Sequence, residues 1–295
     1  MTHSDLLQRF IFENAPVRGE LIHLNKSFQT IINQHVYPPP LRKLLGEALC
    51  VAGLLSAIIK FNGRLTVQFR GKGKLKLLLA QCDHQFHLRG LAKWEGDLDY
   101  QDLMSAFQEG VLVIMLDSTI GKGSYQGIVS WRGNSLVESI EGYFKDSEQL
   151  ATKLWLTVNE TCAAGLLIQV MPESGEMPEN ELLTNHWKRI VDISSHLNMQ
   201  EMLLLEDQSF LLKAYPTEDI RVFPTIPLKF QCTCNRKKGQ DAILLLGKKE
   251  AEEELANKHS LVVTCDFCNK EYIYDKIDVA KIFKDNDKPP SIHLH

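Results

Sequence analysis

The chain has 295 residues, 44% of them hydrophobic and 24% charged, with a net charge of -4 and a pI near 6.2. That length predicts two domains with room for a third small unit, and the ordinary composition excludes disordered and collagen-like classes. The mild acidity gives no reason to expect phosphate backbones or anionic membranes as partners, and no apolar run approaches the roughly 20 residues of a bilayer span.

Asp5, Arg9 and Glu13 are spread among apolar residues at the start of the chain, without the basic, apolar and small-residue pattern of a signal peptide, so a cytoplasmic location is expected. After Pro38-Pro39-Pro40, the residues Leu41, Leu44, Leu45, Ala48, Leu49, Ala52 and Leu55 recur at helical spacing. Gly63 then introduces Leu65, Val67 and Phe69, and Gly71-Lys72-Gly73 separates these from Leu75, Leu77 and Leu79. Alternation bounded by glycine predicts antiparallel hairpins. Further strands are expected at Val111 to Leu116 and Ile128 to Trp131, joined by a turn at Gly121 to Gly127. Gly121-Lys122-Gly123-Ser124 lacks the Walker spacing and belongs to that turn. Residues 1–175 are therefore predicted to form an α+β domain around mixed α/β sheet.

Pro172, Gly175 and Pro178 interrupt the pattern, and the composition changes with them. From Glu173 to Asp219, ten Asp or Glu stand against three Lys or Arg. Residues Asn180 to about Tyr215 are helical in pattern, with more apolar surface than a short isolated helix can hide, so they must pack on something else. Pro216, Pro224 and Pro227 then mark the route to the C-terminal part, which defines a helical linker at 176–229.

Residues 230–295 form a small domain with a polar tail, too short for more than a marginal core of its own. Four of the seven cysteines lie here, as Cys232-Thr-Cys234 and Cys265-Asp-Phe-Cys268, flanking a helical stretch from Asp241 to Asn257. Two pairs of soft ligands point to one tetrahedral zinc ion, and the Cys-x-Cys pair lacks ferredoxin spacings. From spacing alone, a closed structural zinc ribbon without switching is the favoured reading. The balanced charge of the domain, eleven acidic against eleven basic residues, argues against nucleic acid as its partner. Arg236, Lys237 and Lys238 could favour the thiolate of Cys234. A thioredoxin-like use of Cys265 and Cys268 would need a strand leading into a helix, whereas Tyr272 to Tyr274 predict a strand just after the motif. Cys50, Cys82 and Cys162 are isolated among apolar residues and are expected to be buried hydrophobes, with His84 and His87 as strand-edge residues. No catalytic constellation stands out, and an enzyme is not expected.

Several short motifs in order carry a resemblance: Arg18-Gly19-Glu20, Tyr37-Pro38 leading to Leu44-Leu45-Gly46-Glu47, Phe61-Asn62-Gly63, Arg89-Gly90, Gly142-Tyr143-Phe144 and the terminal cysteine pairs. Together they resemble the redox-regulated heat-shock holdase family, also called the 33 kDa chaperonin, over nearly the whole chain. The resemblance implies an ATP-independent chaperone for unfolded client proteins. It implies that Cys232, Cys234, Cys265 and Cys268 hold one Zn2+ per chain in the reduced, inactive form and oxidise to Cys232-Cys234 and Cys265-Cys268 disulfides. It also implies a homodimer on activation. Where the family commonly has Gly after the second pair, this chain has Asn269, and Asn235-Arg236-Lys237-Lys238 departs from the usual residues after the first. Loss of zinc should unfold the small domain and expose the linker, whose Trp187, Ile190, Leu197, Leu203, Leu204 and Leu205 are the expected client-binding residues.

Overall fold

An antiparallel hairpin opens the chain, β1 (Leu6–Phe12) and β2 (Val17–Leu24), followed by a short helix α1 (Lys26–Ile32) and a long one, α2 (Pro39–Ile58). The computed structural model describes residues 5–118, 124–132, 135–171 and 181–286. Pro172, Gly175 and Pro178, the glycines of the Gly121 to Gly123 turn and the tail beyond 286 lie outside them. Pro39 and Pro40 occupy the first helical positions of α2, where the missing N–H has no partner to lose. Every residue from Ala48 to Ser56 is buried, so α2 has no solvent face there. A helix apolar all round is a core helix, and α2 packs against strands of both large sheets.

The second of those sheets follows α2 directly. It contains β3 (Gly63–Arg70), β4 (Leu75–Asp83), β5 (His87–Trp94), β6 (Val111–Ser118) and β7 (Ser124–Val129). Helix α3 (Tyr100–Glu109) lies between β5 and β6, and α4 (Leu136–Tyr143) follows β7. The predicted hairpins are present, with Val67 opposite Ala80 and Phe69 opposite Leu78.

The first sheet is completed by β8 (Thr152–Val158) and β9 (Ala163–Val170), both antiparallel. All eight residues of β9 are buried, which requires cover on both faces. One face, with Ala163 and Leu167, joins the core around α2. At Gly53 the helix comes so close that a Cβ would meet Ile22 Cδ1 at 2.3 Å. The other face, with Leu166, Ile168 and Val170, lies in a second core with residues of three helices. These are α5 (Glu181–Ser195), α6 (Met199–Leu204) and α7 (Asp207–Ala214). The helical run predicted to need a partner has one in this sheet. It is broken into three pieces: Asn198 leaves the helix after α5 and caps α6, accepting from the Gln200 amide at 3.0 Å, and α6 ends at its C-cap Leu205 before α7 begins.

The chain then returns through both sheets. β10 (Ile220–Val222) and β11 (Ile226–Pro227) pair with β1, and β12 (Lys229–Phe230) pairs in parallel with β5. The resulting orders are β10-β1-β2-β9-β8 and β12-β5-β4-β3-β6-β7.

Between Gln231 and Cys232 one compact unit ends and a second begins. The second contains α8 (Arg236–Leu246), α9 (Lys248–Lys258), the hairpin β13 (Leu261–Thr264) and β14 (Glu271–Tyr274), and α10 (Lys276–Asn286). The stretch read as one helix is two, divided at Gly247. The core of this unit is thin, built on Ile243, Ala251, Leu255, Leu261, Tyr274 and Val279 with few other buried side chains. Among the described residues no helix is long and apolar enough to cross a membrane.

Candidate metal centre

Two turns of different construction bring the four terminal cysteines together. Cys232-Thr-Cys234 immediately precedes α8, whose cap Asn235 accepts from the Lys238 amide at 2.9 Å. Lys238 reaches back to donate to the Thr233 carbonyl at 2.8 Å, pinning the residue between the two cysteines. Cys265 and Cys268 occupy the connection from β13 to β14. There the Cys265 amide donates to the Lys270 carbonyl at 3.0 Å, and the Asn269 amide donates to the Cys265 carbonyl at 2.8 Å. Asn269 has φ +51°, a left-handed conformation that Gly or Asn adopts most easily. The departure from glycine at this position therefore keeps the turn.

The four Sγ atoms all lie within 4.8 Å of one another. Cys232 Sγ is 3.6 Å from Cys265 Sγ, and Cys234 Sγ is 3.5 Å from Cys268 Sγ. A tetrahedral thiolate site with bonds of about 2.3 Å has edges near 3.8 Å. The cluster therefore fits a single metal ion, and its cysteines are free thiols.

The thiols differ in acidity. Burial opposes ionisation of Cys234, but hydrogen bonds from Tyr272, Cys268, Cys232 and Cys265 outweigh it and bring the pKa down to about 7. Burial pushes Cys268 up to about 12, aided by its contacts with the other thiols and opposed by the Lys270 amide. Cys232 is also raised, first by burial. Of the cations read as activators of Cys234, Lys238 is held on the Thr233 carbonyl and Arg236 is engaged elsewhere. Arg236 donates to the Ile273 carbonyl at 2.9 Å and to Asp278 at 2.6 Å, and its guanidinium lies 4.5 Å over the Tyr274 ring.

Tyr272 is the site residue that spacing did not reveal. Its hydroxyl donates to Cys234 Sγ at 3.2 Å, and that bond is the main cause raising its own pKa to about 12. Tyr274, two residues on, donates to the Arg236 carbonyl at 2.5 Å, while Ile273 between them is exposed. This period-two alternation was the available signal.

Cys50, Cys82 and Cys162 are all buried. Burial raises the first above the usual thiol range and the second to about 12. His87 pairs with Asp83 at 3.0 Å, and His84 Nδ1 lies 3.2 Å from the Gly63 carbonyl. Cys265 and Cys268 sit between antiparallel strands, so the strand-into-helix arrangement of a thioredoxin motif is absent at this position. In the middle helices, Ile190 and Leu203 are buried and Trp187, Leu197 and Leu205 pack on the same core, whereas Leu204 is 68% exposed. Ser194 and Tyr215 share a buried hydroxyl hydrogen bond of 2.8 Å.

An α+β protein with a four-thiol cluster able to hold a metal ion on a separate C-terminal unit is the class that this architecture defines. A family model described as Hsp33 protein matches residues 5–275. The chain is 38% identical to the 33 kDa chaperonin of Methylobacillus flagellatus over 96% of each chain, and 38% identical to that of Nitrosococcus oceani over 98% of each. The crystal structure of the 33 kDa chaperonin from Thermotoga maritima superimposes with a TM-score of 0.81 at 23% identity, covering 97% of this chain and 100% of that one. The chain belongs to the Hsp33 family.

Proposed function

We propose that this protein is a redox-regulated, ATP-independent chaperone, a holdase that keeps unfolding and oxidatively damaged proteins from aggregating. The observation that carries this reading is the convergence of four Sγ atoms within 4.8 Å, from pairs remote in the chain, on a unit with a thin apolar core. Membership of the Hsp33 family supports the chaperone class.

In the reduced state Cys232, Cys234, Cys265 and Cys268 hold one Zn2+ per chain, a role that four soft thiolates at this spacing fit. Bound zinc supplies a closed crosslink without redox chemistry of its own, contributing on the order of 10 to 16 kcal/mol of apparent folding energy in small zinc peptides. Peroxide converts the thiols to Cys232-Cys234 and Cys265-Cys268 disulfides. Each pair of zinc-bound thiolates gives up two electrons, which one peroxide takes up with two protons from solvent to become two waters. The disulfides leave no thiolates to bind metal, and rings this short constrain the unfolded chain little. Residues 230–295 then lose their crosslink and unfold.

The linker, residues 176–229, is the responsive element, and residues 1–175 are the stable scaffold. Its helices α6 and α7 are 6 and 8 residues long and depend on docking rather than on intrinsic helicity. Released from the sheet, Trp187, Ile190, Leu197, Leu203 and Leu205 join the already exposed Leu204 as apolar anchors for unfolded clients, and the active chain associates as a homodimer. The protein works in the cytoplasm by binding, not by catalysis. Zinc content and suppression of thermal aggregation, measured together before and after peroxide, test this: zinc loss should accompany the gain of activity. Equal activity in the reduced, metal-loaded chain would leave a constitutive zinc-ribbon binding protein instead.

A further inference from the structure

Only one side chain outside the four cysteines directs a hydroxyl at a Sγ atom of the cluster among the described hydrogen bonds, and that is Tyr272. It lies on β14 opposite Val263, with its ring packed at the edge of the small core. Lys270 Nζ lies 5.4 Å from the ring centroid. A hydroxyl has a single proton to donate, and here it goes to Cys234 Sγ at 3.2 Å. A thiolate sulfur bound to a metal keeps lone pairs, which serve two opposed ends. They accept hydrogen bonds, and they attack electrophilic oxidants. A donor that engages one of them withdraws electron density from the sulfur and lowers its nucleophilicity, while orienting it as a ligand.

We propose that Tyr272 is a positioning residue of the metal centre, whose hydroxyl holds Cys234 Sγ as a ligand and shields that sulfur from electrophilic oxidants. The inference rests on the zinc reading above and adds a residue to it. Its chemical step is ordinary peroxide chemistry. Cys234 Sγ attacks a peroxide oxygen, the S–O bond forms as the O–O bond breaks, and hydroxide leaves. The sulfenic acid then condenses with a neighbouring thiol, releasing water and forming the disulfide. Tyr272 acts before the first of these events by occupying the electron pair that would attack.

The test compares the full-length chain and Tyr272→Phe, both loaded with zinc and given a peroxide pulse, with the oxidation of each cysteine read by differential alkylation and mass spectrometry. Removal of the hydroxyl should speed oxidation at Cys234 and weaken metal affinity, by about tenfold for a lost outer-shell partner. The rate at Cys265, which the hydroxyl does not touch, should stay as in the parent chain. In cobalt-substituted protein the sulfur-to-metal charge-transfer band should move to lower energy, a change that loosened packing alone does not produce. Equal Cys234 rates in the two chains, or equal acceleration at all four cysteines, would overturn the assignment. If the variant loads poorly, excess zinc is supplied until both chains carry equal metal, and an equal Cys234 rate there overturns it too. A parent chain that takes up neither zinc nor cobalt would instead sink the zinc reading, and this inference with it.

Discussion

Asp207 Oδ1 lies 4.0 Å from His23 Nδ1, with both side chains buried where α7 meets the sheet. Burial, with the neighbouring Glu206 charge adding to it, pushes the Asp207 carboxyl up to about 7. A carboxyl raised in this way holds its proton in the docked state and loses it in the undocked one. Docking is therefore strongest below the ordinary carboxyl range and weakens as pH rises from about 4 to about 7, by at most about 1.4 kcal/mol per unit. Hydrogen-exchange protection of residues 199–214, corrected for intrinsic rates, should fall between about pH 4 and about 7. Asp207→Asn should flatten that slope, and a slope unchanged in the variant would remove Asp207 as its source.

The C-terminal unit should be sensitive to changes that leave every cysteine in place. Arg236 ties the start of α8 to Ile273 and Asp278, and Arg236→Ala should cost about 1 to 2 kcal/mol, since the pair with Asp278 is half exposed. A Cβ on Gly239 would fall 2.2 Å from the Tyr274 hydroxyl, which is already bonded to the Arg236 carbonyl. Gly239→Ala should therefore cost about 1 to 3 kcal/mol through overpacking. Both variants should release metal to a chelator at lower temperature than the parent, and release at the parent temperature would contradict this account.

Cys265→Ser should retain far less than one metal ion per chain, because it removes one of four donors that no fifth cysteine can replace: Cys50, Cys82 and Cys162 are buried elsewhere. Peptide mapping of the oxidised parent should find disulfides within each pair. A Cys232-Cys265 bond would instead join positions 33 apart and constrain the unfolded chain by on the order of 4 kcal/mol, keeping the unit tied together. Finding that bond in the active chaperone would contradict unfolding as the switch.

Oxidation with mild heat should make amide exchange fast across residues 181–215, while β2 and β9, buried between two layers, stay protected. Full aggregation suppression with the middle helices still protected would place clients on another surface.

Replacing Cys50, Cys82 and Cys162 together by Ala should leave switching intact at a stability loss of about 1 to 3 kcal/mol, as expected for trimming small buried side chains. Loss of switching in a variant that melts cooperatively would extend the sensor beyond the terminal cysteines.

Much of this was legible wherever the information is local. The prolines and 3.6-residue spacing mark α2, the glycine-bounded alternation marks β3 and β4, and the spacing of two cysteine pairs marks the cluster. What was not legible depends on partners remote in the chain. Pro224 and Pro227 read as punctuation in a tether, yet the segment around them pairs with β1, and Pro227 is tolerated because β11 lies off the main path of the sheet. The break between α5 and α6 turns on Asn198, a residue whose capping role shows only once the chain bends. Tyr272 reads as an ordinary strand aromatic until the hairpin register carries its hydroxyl to a sulfur contributed 38 positions earlier.

Helices α5, α6 and α7 are spliced between β9 and β10, two strands of one sheet. Undocking them would open a loop fastened at both ends, so they could never diffuse away. The bared sheet would compete with clients for the helices' apolar residues as an intramolecular partner, at an effective concentration fixed by loop length and independent of how much protein or client is present. Ejecting a bound polypeptide would then need no nucleotide, only conditions under which the tethered helices again fold more favourably than the guest binds.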